Sequence, residues 1–256
     1  MKSHLALGLC FTWIMLILIA PQLTSIDPRQ TNPTNTQAPP QWQHLFGTDN
    51  LGRDVYSRTL HGGQRTLMVS FSALLIAVIP ALMLAMLTIL WKTYLHTPIS
   101  AMLDAWLAFP SLLIALVILT IIGRGLFPIS IAVGLAQLPY VLRVVLTALQ
   151  QGQNQPYITS AHALGASKWH IIRYHLLPNA QPTIASYTSI TFAYCIINTA
   201  GLSLLGLGGD PSIPEWGVML ATGRDTFRYA PWVALAPAIA ISLTIILANR
   251  LADSFR

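Results

Sequence analysis

Apolar runs of about twenty residues recur along this chain, and they constrain its fold more than any other feature. A bilayer core about 30 Å thick needs roughly 20 apolar residues in a helix. Charged residues make up only 9% of the 256 residues, whereas soluble domains carry about 25%. We therefore expect one all-α integral membrane domain over residues 1–256. Its six predicted transmembrane helices cover residues 5–20, 67–91, 99–122, 127–149, 184–204 and 231–251.

The first apolar run fits two descriptions, a cleaved signal peptide or a retained anchor. A basic start at Lys2 before an apolar stretch is typical of signal peptides. However, Leu18 stands where a cleavage site needs a small residue, and Pro21 follows the only plausible cut, after Ala20. We therefore expect a retained, slightly short anchor. Six spans then place both termini on the same side of the membrane.

Two other features, the distribution of basic residues and the prolines within the spans, indicate neither the orientation of the chain nor its function. The 14 Lys and Arg residues divide evenly between the two sides, so the positive-inside rule gives no orientation. Pro80, Pro110, Pro139 and Pro237 fall within predicted spans. Membrane helices tolerate proline where neighbouring groups satisfy the freed carbonyl. Kinked spans suit a bundle that opens, but static membrane proteins contain them as well.

A long polar loop, residues 21–66, separates the first two spans. Residues 27–43 contain four prolines and no long apolar run, which predicts an extended or mobile segment. The acid–base pairs Asp49–Arg53 and Asp54–Arg58 have the i,i+4 spacing of a helix surface, so we expect an amphipathic helix lying on the membrane. A calcium loop starting at Asp49 is excluded, because Leu60 occupies the position that requires a glutamate.

A second polar interruption, residues 150–178, is patterned as two short helices joined by a glycine. Pro156 suits the first position of a helix, and Gly165 can end it in a left-handed conformation. Ser167 can cap a second helix, which we expect to end at Leu177, before Pro178. The predicted apolar faces are Tyr157, Ala161 and Leu164 on the first helix and Trp169, Ile172 and Leu176 on the second. Such a unit must lie on the membrane or dock into a partner.

The same segment resembles a known family. "YITSAHALGASKWHIIRYHLLPNA" is similar to the cytoplasmic coupling segment of binding-protein-dependent ABC importer permeases, written E-A-A, three residues, G, nine residues, I-x-L-P. "FGTDNLGRDVYSR", "LDAWLAFPSLL", "LSLLGLG", "PEWGVML" and "GRDTFRYAPW" resemble further motifs of the dipeptide, oligopeptide and nickel branch, in the right order from about residue 44 onwards. The coupling match falls on Thr159, Ser160, Ala161, Gly165, His175, Leu177 and Pro178.

The resemblance implies a fold, a location and a set of partners. The fold is a type I ABC importer permease bundle in a bacterial inner membrane, with the coupling segment and both termini in the cytoplasm. A second similar permease completes the translocation pathway, two ATPase subunits bind ATP and Mg, and a substrate-binding protein delivers cargo from outside. This chain then has no catalytic role and binds no cofactor or metal itself. Nucleic acid is not expected as a partner, because the basic residues are scattered singly with no run of five or more. The cargo, whether dipeptides, longer peptides or nickel, stays open.

The coupling segment departs from the family pattern. The usual glutamate is Thr159 here, the usual isoleucine is His175, and the approach "QQGQNQP" carries no charge. The salt bridge from that glutamate to the ATPase cannot form. Exposed ion pairs contribute only about 0–1 kcal/mol, so we expect coupling to survive through shape and apolar contact, with an ATPase adapted to a neutral surface. The predicted coupling residues are Tyr157, Thr159, Ser160, Ala161, Leu164, Gly165, Leu177 and Pro178.

Other residues are weaker candidates. Asp104 is the one acid within a predicted span, and intramembrane acids are functional candidates, although hydration near the interface explains it equally well. Arg143 lies near the end of its span, where it can snorkel to the interface; both are candidates for the pathway or its gate. Arg224, Asp225 and Arg228 are candidates for contact with the binding protein or for lining the entrance, although positioning of the loop explains them equally well. The alternatives are a membrane enzyme, whose H-E-x-x-H and G-x-S-x-G motifs are missing, and a purely structural subunit.

Overall fold

The computed structural model describes residues 2–255; for residues 2–7, 11, 20 and 21 it describes the backbone alone. This part of the chain is helical and contains no β-strand. Short 3₁₀ turns lie at Ala20–Leu23 and Pro33–Asn35, and π-helical turns at Ile172–Leu176 and Ser203–Leu207. The helices are α1 (Lys2–Ile19), α2 (Val55–Leu90), α3 (Lys92–Leu107), α4 (Ser111–Ile122), α5 (Leu126–Gln153), α6 (Pro156–Ala163), α7 (Lys168–Ile171), α8 (Leu177–Leu202), α9 (Trp216–Thr226) and α10 (Trp232–Asp253).

The longest single helix, α2, begins earlier than the sequence predicted. Its 36 residues make a rod about 54 Å long at about 1.5 Å per residue, which is well beyond the thickness of a bilayer core. Asp54 caps its N-terminus by accepting a hydrogen bond from the Ser57 amide at 2.7 Å. Residues 55–66, expected in the loop 21–66, therefore form the first turns of a spanning helix rather than a separate helix on the membrane surface.

The predicted span 99–122 is broken. Helices α3 and α4 meet at an angle of 93°, and Pro110 lies at the break, immediately before α4, rather than inside a helix. The residue before a proline disfavours helical geometry, which explains why the chain turns here. By contrast, Pro80, Pro139 and Pro237 lie inside α2, α5 and α10, as predicted.

Four helical segments within residues 2–255 are long and apolar enough to cross a membrane: Val55–Leu90, Leu126–Gln153, Lys168–Leu207 and Trp232–Asp253. The bent pair of α3 and α4 would make a fifth. The apolar part of α1, Gly8–Ile19, is shorter, so the predicted count of six spans stays a prediction. Nevertheless α1 packs on α10, where Trp13 Nε1 donates to Thr244 Oγ1 at 3.0 Å.

The bundle is built around close packing of α2 against α5. Ala73, Ala77, Ala81 and Ala85 repeat every four residues along α2, and all four are fully buried. Small side chains in such a stripe let two helix backbones approach closely, which stabilises helix pairs in lipid. The core is divided along α2. Val55 and Leu67 pack with α9 and α10 at one end, and Ala85 and Ile89 pack with residues 156–176 at the other.

Candidate functional site

Residues 156–176 form a bent projection at the C-terminal end of α2, which we call the elbow. Helix α6 starts at Pro156, as the sequence predicted. Gly165 adopts φ +83° and turns the chain, and its amide donates to the His162 carbonyl at 3.0 Å. Ser167 then caps α7 by accepting from the His170 amide at 3.2 Å. The glycine turn and the serine cap are therefore confirmed.

The elbow is fastened to the bundle by isoleucine and leucine side chains. Ile158, Ile171, Ile172 and Leu176 are buried and join one core cluster with residues of α2, α3 and α5. The predicted apolar face of α6 is not the face that packs on the bundle: Leu164 is 88% and Tyr157 39% exposed, so docking of this face with a partner stays a prediction. Ile158 takes the buried position in α6, with Ala161 packed beside it. Ile158, the residue after Tyr157, therefore anchors α6 to the bundle.

The second arm of the elbow continues into a spanning helix instead of ending at Leu177. The π-helical turn at Ile172–Leu176 connects α7 to α8, and Pro178 lies in the first turn of α8. The helix does not end at Leu177 as expected. Pro178 lies in the first turn of α8, next to the π-helical turn, where the backbone N–H that proline lacks is not needed for a helical hydrogen bond. The elbow is therefore continuous with a helical segment that is long and apolar enough to cross the membrane.

The outer surface of the elbow carries aromatic and imidazole rings that contact one another. The ring centroids of His170 and Tyr174 lie 4.7 Å apart, and those of His170 and His175 lie 5.9 Å apart. Tyr157 joins the group at 6.2 Å from His175 and accepts a hydrogen bond from Asn179. The remaining predicted coupling residues lie on or beside this surface: Thr159, Ser160, Gly165 and Pro178 are exposed, and Ala161 and Leu177 are half-buried.

The structure brings together the two pathway candidates. Asp104 of α3 and Arg143 of α5 form an ion pair, with their side chains 67% and 44% exposed. The neighbouring Leu103 is buried in the same core cluster as the elbow isoleucines, so the pair lies at the elbow end of the bundle.

At the opposite end of the bundle, the structure shows a buried charge cluster that the sequence analysis missed. Asp49, Arg53 and Arg58 are each at most 3% exposed. Arg53 Nε donates to Asp49 Oδ2 at 2.7 Å, and Arg58 Nε lies 3.7 Å from the same oxygen. The i,i+4 spacing of Asp49 and Arg53 was the available signal. It was interpreted as an exposed helix, whereas residues 49–53 form a turn in which Asp49 and Arg53 are buried and Leu51 is exposed.

Arg58 ties distant segments together. Its Nη1 donates to the Pro28 carbonyl at 2.9 Å and to the Ser212 carbonyl at 3.2 Å, and its Nη2 donates to the Pro211 carbonyl at 3.1 Å. The Asp54 carboxylate, which the sequence pattern paired with Arg58, instead contacts His44 Nδ1 at 2.8 Å. Hydrogen bonds from Arg58 therefore connect the loop before α2 to the loop before α9.

Residues 24–54 form a folded loop rather than the extended or mobile segment expected for 27–43. Thr48 Oγ1 donates to the Asn35 carbonyl at 2.6 Å, and the Gln37 amide donates to the Asp49 carbonyl at 2.9 Å. Gly52 has φ +72°, and a Cβ there would lie 1.9 Å from the Asn32 carbonyl oxygen. Because backbone hydrogen bonds replace apolar packing here, the lack of apolar runs did not predict mobility.

The motif "PEWG" closes the same end of the bundle. Glu215 is fully buried and caps α9 by accepting from the Gly217 and Val218 amides, both at 3.0 Å. It also accepts from Thr66 Oγ1 of α2 at 2.9 Å. Trp216 Nε1 donates to the Thr59 carbonyl at 2.8 Å. Helix α9 is thereby fixed to the first turns of α2.

The external-loop candidates lie at this end too, on the exposed side of α9. Arg224 and Asp225 form an exposed pair at 3.2 Å and border a cleft of ≈ 460 Å³ that Asn50 and Leu205 also line. Arg228 is exposed beyond α9. In the loop before α9, hydrogen bonds from the Ser212 side chain and amide hold the pKa of Asp210 below its ordinary value.

The described residues offer no site for a metal. No group of three His, Cys, Asp or Glu side chains in residues 2–255 is placed to hold one, and the imidazoles of the elbow contact aromatic rings instead. Cys10 and Cys195 are both buried free thiols.

Comparison with known proteins agrees with this arrangement. Residues 77–256 match the family described as "binding-protein-dependent transport system inner membrane component". The dipeptide transport system permease protein of Alkalihalophilus pseudofirmus is 34% identical over 245 residues, which cover 96% of this chain and 81% of that protein. The glutathione transport system permease protein of Escherichia coli is 34% identical over 259 residues, covering 100% of this chain and 86% of that protein.

Solved structures show the same fold. A chain of the MetNI methionine ABC transporter in an inward-facing conformation superposes with a TM-score of 0.62 at 19% identity, covering 78% of this chain and 96% of that one. A chain of an amino acid ABC transporter solved with histidines gives a TM-score of 0.59 at 20% identity, covering 76% and 91%. The fold is thus that of a type I ABC importer permease. The chain belongs to the family of inner membrane components of binding-protein-dependent transport systems, and it is a multi-pass membrane permease.

Proposed function

We propose that this chain forms one half of a peptide-conducting pathway in an ATP-driven importer. A second permease completes the pathway, two ATPase subunits bind and hydrolyse ATP with Mg, and an extracytoplasmic binding protein delivers the cargo. This chain performs no catalysis and holds no cofactor. The relatives named for dipeptide and glutathione transport favour peptides over the nickel that the sequence left open.

The elbow is the observation that carries this proposal. Its buried isoleucines hold it rigidly to the bundle, while its outer surface remains exposed. Its second arm is continuous with the helix α8. A partner that pushes on the exposed surface therefore displaces a spanning helix, which is the mechanical requirement for converting ATPase closure into a change of access.

The orientation of the chain follows from the same proposal. The elbow lies at the C-terminal end of α2, and the folded loop 24–54 lies at its N-terminal end. An elbow that docks with an ATPase is cytoplasmic, so the loop 24–54 and the residues Arg224, Asp225 and Arg228 face outwards. There they are available to a binding protein, and both termini are cytoplasmic.

The pair of Asp104 and Arg143 marks the pathway at its cytoplasmic end. Exposed charges on a spanning bundle are costly against lipid and normally face a partner or water. We therefore assign the exposed face bearing this pair to the second permease or to the aqueous pathway between the two.

Purification of the tagged chain in mild detergent, followed by mass spectrometry, tests the proposal. We expect recovery of a second permease and of ATPase subunits, and their binding protein would narrow the cargo. A chain that is recovered alone, and that binds no ATPase when its candidate partner is supplied, would overturn the proposal.

A further inference from the structure

The outer surface of the elbow is both basic and apolar. Leu164, Trp169 and Tyr174 are 88%, 51% and 60% exposed. Cationic side chains are interspersed with them, and the Arg173 guanidinium lies 5.7 Å from the centroid of the Tyr174 ring. We call this set the basic elbow surface. Its members are Leu164, Lys168, Trp169, His170, Arg173 and Tyr174, all of which are exposed.

No acid is available on the elbow to balance these charges. The sequence from 150 to 209 contains no Asp or Glu, while it contains Lys168, Arg173 and three histidines. Asp104, which lies near the elbow, is already paired with Arg143. Thr159 stands where the coupling motif of similar permeases has its glutamate. The surface is therefore cationic, which corrects the neutral surface expected from the sequence.

We propose that the basic elbow surface docks into an acidic groove with an apolar floor on the ATPase subunit. The inference rests on the proposed function and specifies the chemistry of the partner. Tryptophan, tyrosine and arginine are the residue types that dominate binding energy at protein interfaces. A basic side chain in the groove would be repelled by Lys168 and Arg173. The positive charge of the elbow therefore also disfavours binding of ATPases whose groove is basic.

A protein partner explains the surface better than lipid headgroups do. Helices that lie on a membrane segregate apolar residues on one face and cations on the other. On the elbow, the segregated apolar side, Ile158, Ile171 and Ile172, is already packed into the bundle. The exposed side mixes large apolar and cationic residues, as interfaces between proteins do.

Charge reversal at Lys168 tests the proposal, with Lys92 as a matched control. Both lysines are exposed and each is the first residue of a helix. Lys92 follows the C-terminal end of α2, the same end of the bundle as the elbow. The full transporter carrying Lys168→Glu or Lys92→Glu is purified, and the affinity of the ATPase subunit is measured in detergent as a function of salt, with thermal stability as a folding control.

We expect Lys168→Glu to weaken ATPase binding by about tenfold or more, which corresponds to about 1.4 kcal/mol. The wild-type affinity should fall as salt rises, and Lys92→Glu should bind normally. Equal affinities for the two variants, or tighter binding by Lys168→Glu, would overturn the proposal. It would also be overturned if Lys168→Glu changed activity only in vesicles containing phosphatidylglycerol, because lipid would then be the partner.

A second variant separates this inference from the proposed function. Gly165→Pro should distort the elbow without changing its charge. If Gly165→Pro abolishes ATPase binding and Lys168→Glu does not, the elbow docks without charge complementarity and only the inference fails. If neither variant affects binding, docking at the elbow fails as well.

Discussion

Substitutions at Gly165 measure how far coupling depends on the shape of the elbow. A Cβ added at this position would meet no atom within 4 Å, so steric clash contributes nothing to the effect. What remains is the conformational free energy at φ +83°. A left-handed conformation costs an L-residue about 1–2 kcal/mol, and asparagine adopts it more readily than alanine.

Proline is expected to have a much larger effect. Its ring fixes φ near −65°, and it removes the amide that donates to the His162 carbonyl. The combined cost is about 3 kcal/mol or more, which would reduce the population of correctly formed elbows by about 150-fold. The expected order of uptake is therefore glycine, asparagine, alanine and proline, from highest to lowest.

The assay is ATP-dependent uptake by the full transporter, normalised to the amount of inserted chain. Gly201→Ala is the matched control, because Gly201 also has open space around it but lies in α8 without a positive φ. That control should keep full activity, since alanine favours helix. Normal uptake by Gly165→Pro, or equal losses for alanine at both positions, would refute the reasoning.

Three further changes test other parts of the structure. Arg58→Met should lower the free energy of unfolding by about 1–3 kcal/mol, because three loop carbonyls lose their charged donor while Asp49 keeps Arg53; a thermal melt within error of wild type would contradict this. Gly52→Ala should reduce stability and resistance to proteolysis, since the added methyl meets the Asn32 carbonyl; proteolysis at the wild-type rate would refute the packing. Asp104→Asn and Arg143→Gln should each reduce uptake without lowering the melting temperature, because the pair is solvent-exposed; full uptake by both variants would remove the pair from the pathway.

The parts of the elbow that the sequence predicts are those governed by neighbouring residues. Proline at a helix start, glycine at a turn and serine at a cap act within three or four positions, and Pro156, Gly165 and Ser167 do so here. The sequence did not show that Ile158 is the residue that packs on the bundle, because Ile158 and Leu164 are both apolar and only the position of the bundle distinguishes them. The coupling roles themselves stay predictions.

The charge cluster shows why burial could not be predicted. The spacing of Asp49 and Arg53 fits an exposed helix equally well, and the loop carbonyls that accept from Arg58 belong to Pro28, Pro211 and Ser212. No local pattern links such distant positions. The break at Pro110 was not predicted either, because α3 and α4 are both apolar and their sequences together fit one continuous span.

The carbonyl partners of Arg58 also set an order for biogenesis. The hydrogen bond from Arg58 to Pro211 joins residues 153 positions apart, and that from Trp232 to Thr48 joins residues 184 apart. A ribosome adding about 5–20 residues per second needs roughly 8–30 s to synthesise the stretch between Arg58 and Pro211. During that interval α2 exists without the carbonyl that Pro211 supplies. Translation must therefore pass beyond α8 before the N-terminal end of α2 can reach its final packing.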